Sequence, residues 1–215
     1  MALTRTELEE LEQGWAALCM RLGITSAASA RMGRRLVTAW QRWPRCYHAG
    51  SHLLACVRAA EAHRAAMTQP DQVLWALWFH DAIYWPWRRD NELRSAVWAR
   101  DEALRFGLGR PFADAVHALV MDTCHGVEPA PGDPSWLVDI DLGVLGQSAE
   151  AYGRYARDVR REYFWVPAAR FAQGRAAVLR GFLARPHLYS TAFFRDTYEA
   201  QARRNMADEL QRLAP

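Results

Sequence analysis

The chain has 215 residues, of which 51% are hydrophobic and 12% aromatic, with a formal net charge of +3. That composition supplies a core and excludes a disordered chain, and so small a charge gives no footing for nucleic-acid binding. No apolar run approaches a membrane span and the first residues are too charged for a signal peptide, so a cytoplasmic protein is expected.

In chain order the pattern is helical. Residues 4–23 open with Thr4 three places before Glu7, a capping-box signature, and close on Gly23. A second helix is expected over about 26–41, with "RWPR" as the break, and a third over about 46–67, "CYHAGSHLLACVRAAEAHRAAM". "VLWALWFHD" is short enough for a strand, but Asp71 can cap it as a buried helix and no partner strands are visible. "YWPWRRDN" reads as a loop, 92–106 as a helix, and Pro111 starts another that ends near "CHG". After the loop "VEPAPGDP" come the apolar segment "SWLVDIDLGVLG" and three amphipathic helices over about 148–164, 167–184 and 188–212. With no repeat or flexible linker, the expectation is a single all-α domain over 1–215.

All 27 basic residues are arginine, so every cation is a planar, permanently charged, bidentate donor; most are interleaved with acids, as on solvated helix faces. Cys19, Cys46, Cys56 and Cys124 form no CxxC and read as reduced thiols.

Four places carry chemistry. His48 and His52 are spaced to share one helix face, with Arg45 a turn earlier. His80–Asp81 ends the apolar run, where a turning backbone would let a nitrogen and a carboxylate meet one ion. Asp139 and Asp141 sit in a second apolar segment and need partners there. Asp122 and His125 lie one helical turn apart near a helix end. Singly, each has an ordinary explanation as core packing, chance or a helix cap. Together they make mixed nitrogen and oxygen ligation suited to a divalent metal.

This ordered set, with "YHAGSHLL", "LWFHDAIY", "NELRSA", "DIDLGVLG" and "YGRYARDVRREY", resembles the HD superfamily of metal-dependent phosphohydrolases, and within it a bacterial family of predicted HD-type enzymes, over about residues 43–210. The resemblance implies a compact helical HD-type bundle, with a metal-site core over about 43–145 and C-terminal helices over 148–212 packed on it. "YHAGSH" is also similar to the YHxxxH signature of cyclic-nucleotide phosphodiesterases, which makes His52 a metal ligand and His48 a proton donor. Arg45 matches another superfamily arrangement, in which His48 is the ligand. With His52 taken as ligand, the implied set is His52, His80, Asp81 and Asp141, the Asp-Leu pair at 141–142 being closer to the closing motif than Asp139. Glu92 would orient His48 or a water, and Asn91 would hydrogen-bond the site. Arg45 is the first choice for a phosphate contact, ahead of Arg160, Arg175 and Arg203; His125 would contact phosphate or complete a second metal site.

The implied cofactor is one or two divalent ions, with Mn, Mg, Fe, Co, Ni and Zn undistinguished. The implied partner is a small phosphorylated substrate, nucleotides included, cleaved by an activated water; oligomeric state is not readable. The alternatives are a metal- and nucleotide-binding protein without turnover and a helical interaction module. Tyr152, Tyr155 and Tyr163 would suit a substrate-facing lid and equally suit ordinary packing.

Overall fold

The computed structural model describes residues 3–213 apart from His125 and Val127, so the candidate His125 lies outside the described residues. The described residues are all-α, with no strand among them. In order come α1 (Arg5–Arg21), α2 (Ala27–Trp40), α3 (Gly50–Ala62), α4 (Pro70–Phe79), α5 (Asn91–Arg105), α6 (Gly109–Asp122), α7 (Asp133–Asp141), α8 (Ala149–Glu162) and α9 (Ala168–Leu183). The last helix, α10, enters as Ala192–Phe194, passes through a π-type stretch at Arg195–Glu199 and continues as Ala200–Leu213. Short 3-10 turns occupy Arg64–Ala66 and Leu142–Gly146.

Residue chemistry accounts for most boundaries. Thr4 and Glu7 form the expected capping box of α1. Gly23 and Gly107, with φ of 72° and 79°, stop α1 and α5 in the left-handed region that only glycine adopts without cost. In both, the next residue turns its amide back to the helix (Ile24 to Cys19 O at 2.8 Å, Leu108 to Ala103 O at 3.0 Å), completing a Schellman stop.

Helix α4 is apolar all round and is the central element: Val73 to Phe79 are all buried, and it packs on α1, α3, α5, α6 and α7. Asp71 does not cap it. Gln69 takes the N-cap position, and Asp71 instead receives Arg21 at 2.7 Å and Arg64 at 2.8 Å. Trp15 meets Trp75 and Trp78 with ring centroids 5.2 and 5.3 Å apart. Each such aromatic removes roughly 150–250 Å² from water, about 4–6 kcal/mol apiece as an upper bound. The apolar run before the HD pair is thus a rigid pedestal.

The third expected helix is corrected. It spans only Gly50–Ala62, so Arg45 and His48 precede it on non-helical backbone, and His48 and His52 do not stack along one helix.

The C-terminal helices dock on the segment after α7. Asn205 of α10 donates to Leu145 O and Gln147 O, both at 2.8 Å, and Tyr189 donates to Leu142 O at 3.1 Å. Gly146 allows this approach, because a Cβ there would stand 2.4 Å from Tyr198 Cβ and 2.9 Å from Tyr198 O. Gly146→Ala is expected to cost about 2 kcal/mol despite alanine's better backbone propensity, lowering the thermal midpoint by about 4–8 °C. A calorimetric scan checks this; an unchanged or raised midpoint would mean that the contact relaxes freely.

Candidate metal centre

Three elements deliver donor atoms to one point. His52 lies in the first turn of α3, His80 follows the last residue of α4, and Asp141 ends α7. His52 Nε2 stands 3.0 Å from Asp141 Oδ1 and 3.3 Å from His80 Nε2, and His80 Nε2 stands 3.4 Å from Asp141 Oδ1. Two ligands about 2.1 Å from one ion at 90–110° are themselves about 3.0–3.4 Å apart, so the three atoms are spaced for a shared cation. Asp81 is at the edge of the group, its Oδ2 3.8 Å from His80 Nε2. Sequence reasoning missed Cys56, one helical turn after His52, whose thiol joins the two histidines and Asp141 within 4.8 Å. Its signal was helical spacing from a histidine, not a cysteine motif.

The outer contacts aim the rings. His80 Nδ1 lies 2.8 Å from Leu77 O, and a carbonyl can only accept, so Nδ1 carries a proton and Nε2 is the atom turned toward the group. His52 Nδ1 lies 3.1 Å from the Tyr47 hydroxyl. Two imidazole nitrogens facing each other at 3.3 Å beside carboxylates favour a cation between them. Burial works against charge on both rings. At His80 the Asp141 and Asp81 carboxylates outweigh it and push the value up to about 9, whereas at His52 burial prevails and the value falls. Trp40 walls the group, its ring centroid 5.1 Å from that of His80.

Asp139 does something else. Fully buried, it accepts from Ser190 N at 2.9 Å and Thr191 N at 2.7 Å, tying down the residues that lead into α10. Its two-residue offset from Asp141 turns it away from the ligand group.

His48 is held by a residue that sequence reasoning passed over. Glu162, fully buried at the end of α8, receives His48 Nδ1 at 2.6 Å and Tyr84 Oη at 2.9 Å. Its other oxygen accepts the backbone amides of Cys46 at 2.7 Å, Tyr47 at 2.8 Å and His48 at 2.8 Å. These amides wrap a carboxylate instead of entering a helix, which is why α3 starts late. A signal existed: Tyr152, Tyr155, Val159 and Glu162 share one face of α8, and the last is an acid at an apolar position. Burial raises the Glu162 carboxyl, but His48 and the amides outweigh it and hold it at about 2; burial likewise disfavours charged His48, and Glu162 reverses that upward. Glu162 thus orients the His48 ring, and Glu92 lines the adjoining cavity.

Two further candidates have partners within the chain. Arg45 donates to His48 O at 2.7 Å and Ala82 O at 3.0 Å, bracing the two stretches of chain that carry the histidines. Asn91 donates to Trp85 O at 2.9 Å and accepts from Trp85 N at 3.1 Å, closing the turn before α5. The weaker arginine candidates are also engaged: Arg160 with Tyr163 O and Val166 O, Arg175 with Glu209 and the Tyr155 hydroxyl, Arg203 with Glu199. Tyr152 is buried and donates to Glu209, whereas Tyr155 and Tyr163 line the cavity.

That cavity, of about 930 Å³, opens between the ligand group and the C-terminal helices, with His48, His80, Asp81 and Asp141 in its wall. A smaller one of about 390 Å³ lies on the other side of His52 and Cys56. No described helix is long and apolar enough to cross a membrane. No protein-family model matches the chain, and comparison with curated proteins and with solved structures returned no match.

Glu162→Gln keeps an acceptor for the amides but removes the charge facing His48. The expected loss is about 3 kcal/mol, a fall in thermal midpoint of about 6–12 °C. A depressed carboxylate stabilises above its unfolded value and a raised imidazole stabilises below its own, so the loss should be greatest between about pH 4.5 and 6.5 and shrink as pH rises through the raised His48 value. Midpoints of both proteins across pH check this; a difference that grows above neutrality would contradict the pairing.

Proposed function

We propose that the protein is a metal-dependent hydrolase of phosphate esters of the HD type, with His52, His80, Asp81 and Asp141 holding the ion. The observation that carries this reading is the convergence of His52, His80 and Asp141 on one point, with His80, Asp141 and the separately held His48 in the wall of the larger cavity. A divalent ion bound there would act as a Lewis acid on a phosphoryl oxygen and lower the pKa of a water. Two imidazoles with a thiol alongside suit zinc, cobalt, nickel or iron better than magnesium.

The chain's own residues supply the rest. His48, its Nδ1 fixed on Glu162, presents Nε2 as the proton donor to the departing ester oxygen. Glu162 keeps that ring protonated and oriented, and Tyr84, stacked on His48 with centroids 4.3 Å apart, restricts its rotation. Trp40 and the buried α4 run limit water behind the ligands, so that a proton is delivered from one direction.

Two experiments test the reading. Metal content of the purified protein by plasma emission should fall at least tenfold in Asp141→Ala but stay at the wild-type level in Asp139→Asn, whose loss is one of stability. A screen of phosphate esters with each metal should give turnover that His48→Ala reduces by about 10²–10⁴ with metal content unchanged. Metal retained without turnover of any ester would favour a binding protein over an enzyme. Loss of metal in His48→Ala would reverse the roles of the two histidines.

A further inference from the structure

Three turns far apart in the chain bring their aromatic rings to one exposed place. Trp43 comes from the turn after α2, Trp85 and Trp87 from the turn before α5, and Phe164 and Trp165 from the turn between α8 and α9. Their ring centroids are 5.7 Å apart for Trp43 and Phe164, 5.3 Å for Phe164 and Trp165, 5.4 Å for Trp165 and Trp87, and 5.1 Å for Trp87 and Trp85. These contacts do not bury the rings. Trp43 is 70% exposed, Phe164 57%, Trp87 56% and Trp165 39%. Together they present on the order of 500 Å² of ring surface, near the upper end of the largest apolar patch that a soluble monomer carries.

The polar groups around the rings are one-sided. Arg42 lies over the Trp85 ring at 5.5 Å, and Arg88, Arg89, Arg160, Arg161 and Arg170 stand in the same turns or at the helix ends beside them. The acids there are already taken. Asp90 receives Arg88 at 2.7 Å and Arg94 at 2.8 Å, Asp158 receives Arg161 at 2.9 Å, and Glu162 is enclosed with His48. Arg160 uses the carbonyls of Tyr163 and Val166. Arg42, Arg89 and Arg170 are exposed, and their guanidinium groups have no acidic partner among the described residues. The patch thus offers ring surface and spare donors, while its acids are paired.

A phospholipid surface is the complement of this arrangement. Its phosphate and ester oxygens only accept, acidic lipids make it negative, and indole rings settle at its headgroup level with the N–H toward oxygen. A second copy of the chain fits poorly, because a symmetric pair would set the same arginines against one another. A folded protein partner brings amide donors as well as carbonyls, and the acids here that would receive them are occupied.

We infer that this patch is a docking surface for an anionic phospholipid membrane, with Trp43, Trp87, Phe164 and Trp165 at headgroup depth and the unpaired arginines on lipid phosphates. Trp165, Arg89 and Arg170 also line the larger cavity, so docking sets that side of the cavity against the headgroups. The inference is independent of the chemistry of the ligand group.

The test is sedimentation of the full-length protein with vesicles of phosphatidylcholine alone, and of equal parts phosphatidylcholine and phosphatidylglycerol, at about 0.15 M salt. The mixed vesicles should bind at least tenfold more tightly than the neutral ones. Trp43→Ala combined with Phe164→Ala, at positions too exposed to matter much for stability, should weaken that binding at least tenfold with an unchanged thermal midpoint. Arg42→Gln and Arg89→Gln should each weaken it roughly fivefold. Lipids brominated near the headgroup should quench the tryptophan fluorescence of the parent protein and quench the ring variant less. Equal binding to both kinds of vesicle, binding to neither, or a ring variant that binds as the parent does overturns the inference. Two other results also overturn it. Self-association abolished in the ring variant, read by analytical ultracentrifugation, assigns the patch to a second copy. Polyglutamate bound as tightly as the mixed vesicles, and lost in the same variants, assigns it to an acidic protein.

Discussion

A carboxylate with no access to water sits at the end of α8 and gathers five donors: three consecutive amides, an imidazole and a phenol. Burying a charge costs several kcal/mol unless hydrogen bonds replace its hydration, and here they do. The exchange shapes the surroundings. Residues 46–48 turn around the carboxylate instead of joining α3, so His48 is presented from a loop whose backbone is fixed as firmly as a helix. The same contact fastens the C-terminal helices to the part of the chain that carries the ligand group. Removing Glu162 would thus disturb entry to α3, the placement of His48 and one wall of the cavity at once.

The ligand group is built differently, from helix ends. His80 just past α4, Asp141 at the last residue of α7 and His52 in the first turn of α3 all lie where the chain changes direction. Helix ends can bring side chains from distant segments to one point without bending a helix. Their rigidity comes from what lies behind them: the wholly buried α4 and the Trp40 indole, which donates to Trp78 O at 3.0 Å. Acidic residues two positions apart on α7 divide the work, one facing the ligands and the other holding the C-terminal segment.

The helices were legible because their signals are local. Glycine stops, a capping box and apolar periodicity placed α1, α2, α5 and α6 to within a few residues, and the loss of amphipathicity in α4 pointed to burial. His80 and Asp141 stood out as polar residues ending apolar runs. The most deeply hidden part, the cradle around Glu162, depends on contacts across more than a hundred residues. Nothing near "RCYHAGSH" announces that Glu162 will take its amides, and a continuous helix was the natural reading of that stretch. The carbonyls that engage Arg45 and Asn91 were also out of sight, because an arginine or amide in sequence carries no sign of the carbonyl it will meet. Cys56 was set aside for lacking a cysteine partner, whereas its relevant neighbour is a histidine one turn away.

The spacing of these parts along the chain gives the site a history. All candidate ligands lie before residue 142, whereas the partner of His48 comes at 162 and the α9 wall of the cavity follows it. Contacts between segments so far apart form late, after the loop between them has closed. In a chain made from its N-terminus, the residues that could hold an ion are complete before Glu162 can hold His48 or the cavity has its far wall. On the proposed reading, metal capture and reactivity would then be separate stages of maturation, the ligands being in place before the residues that would aim the proton donor.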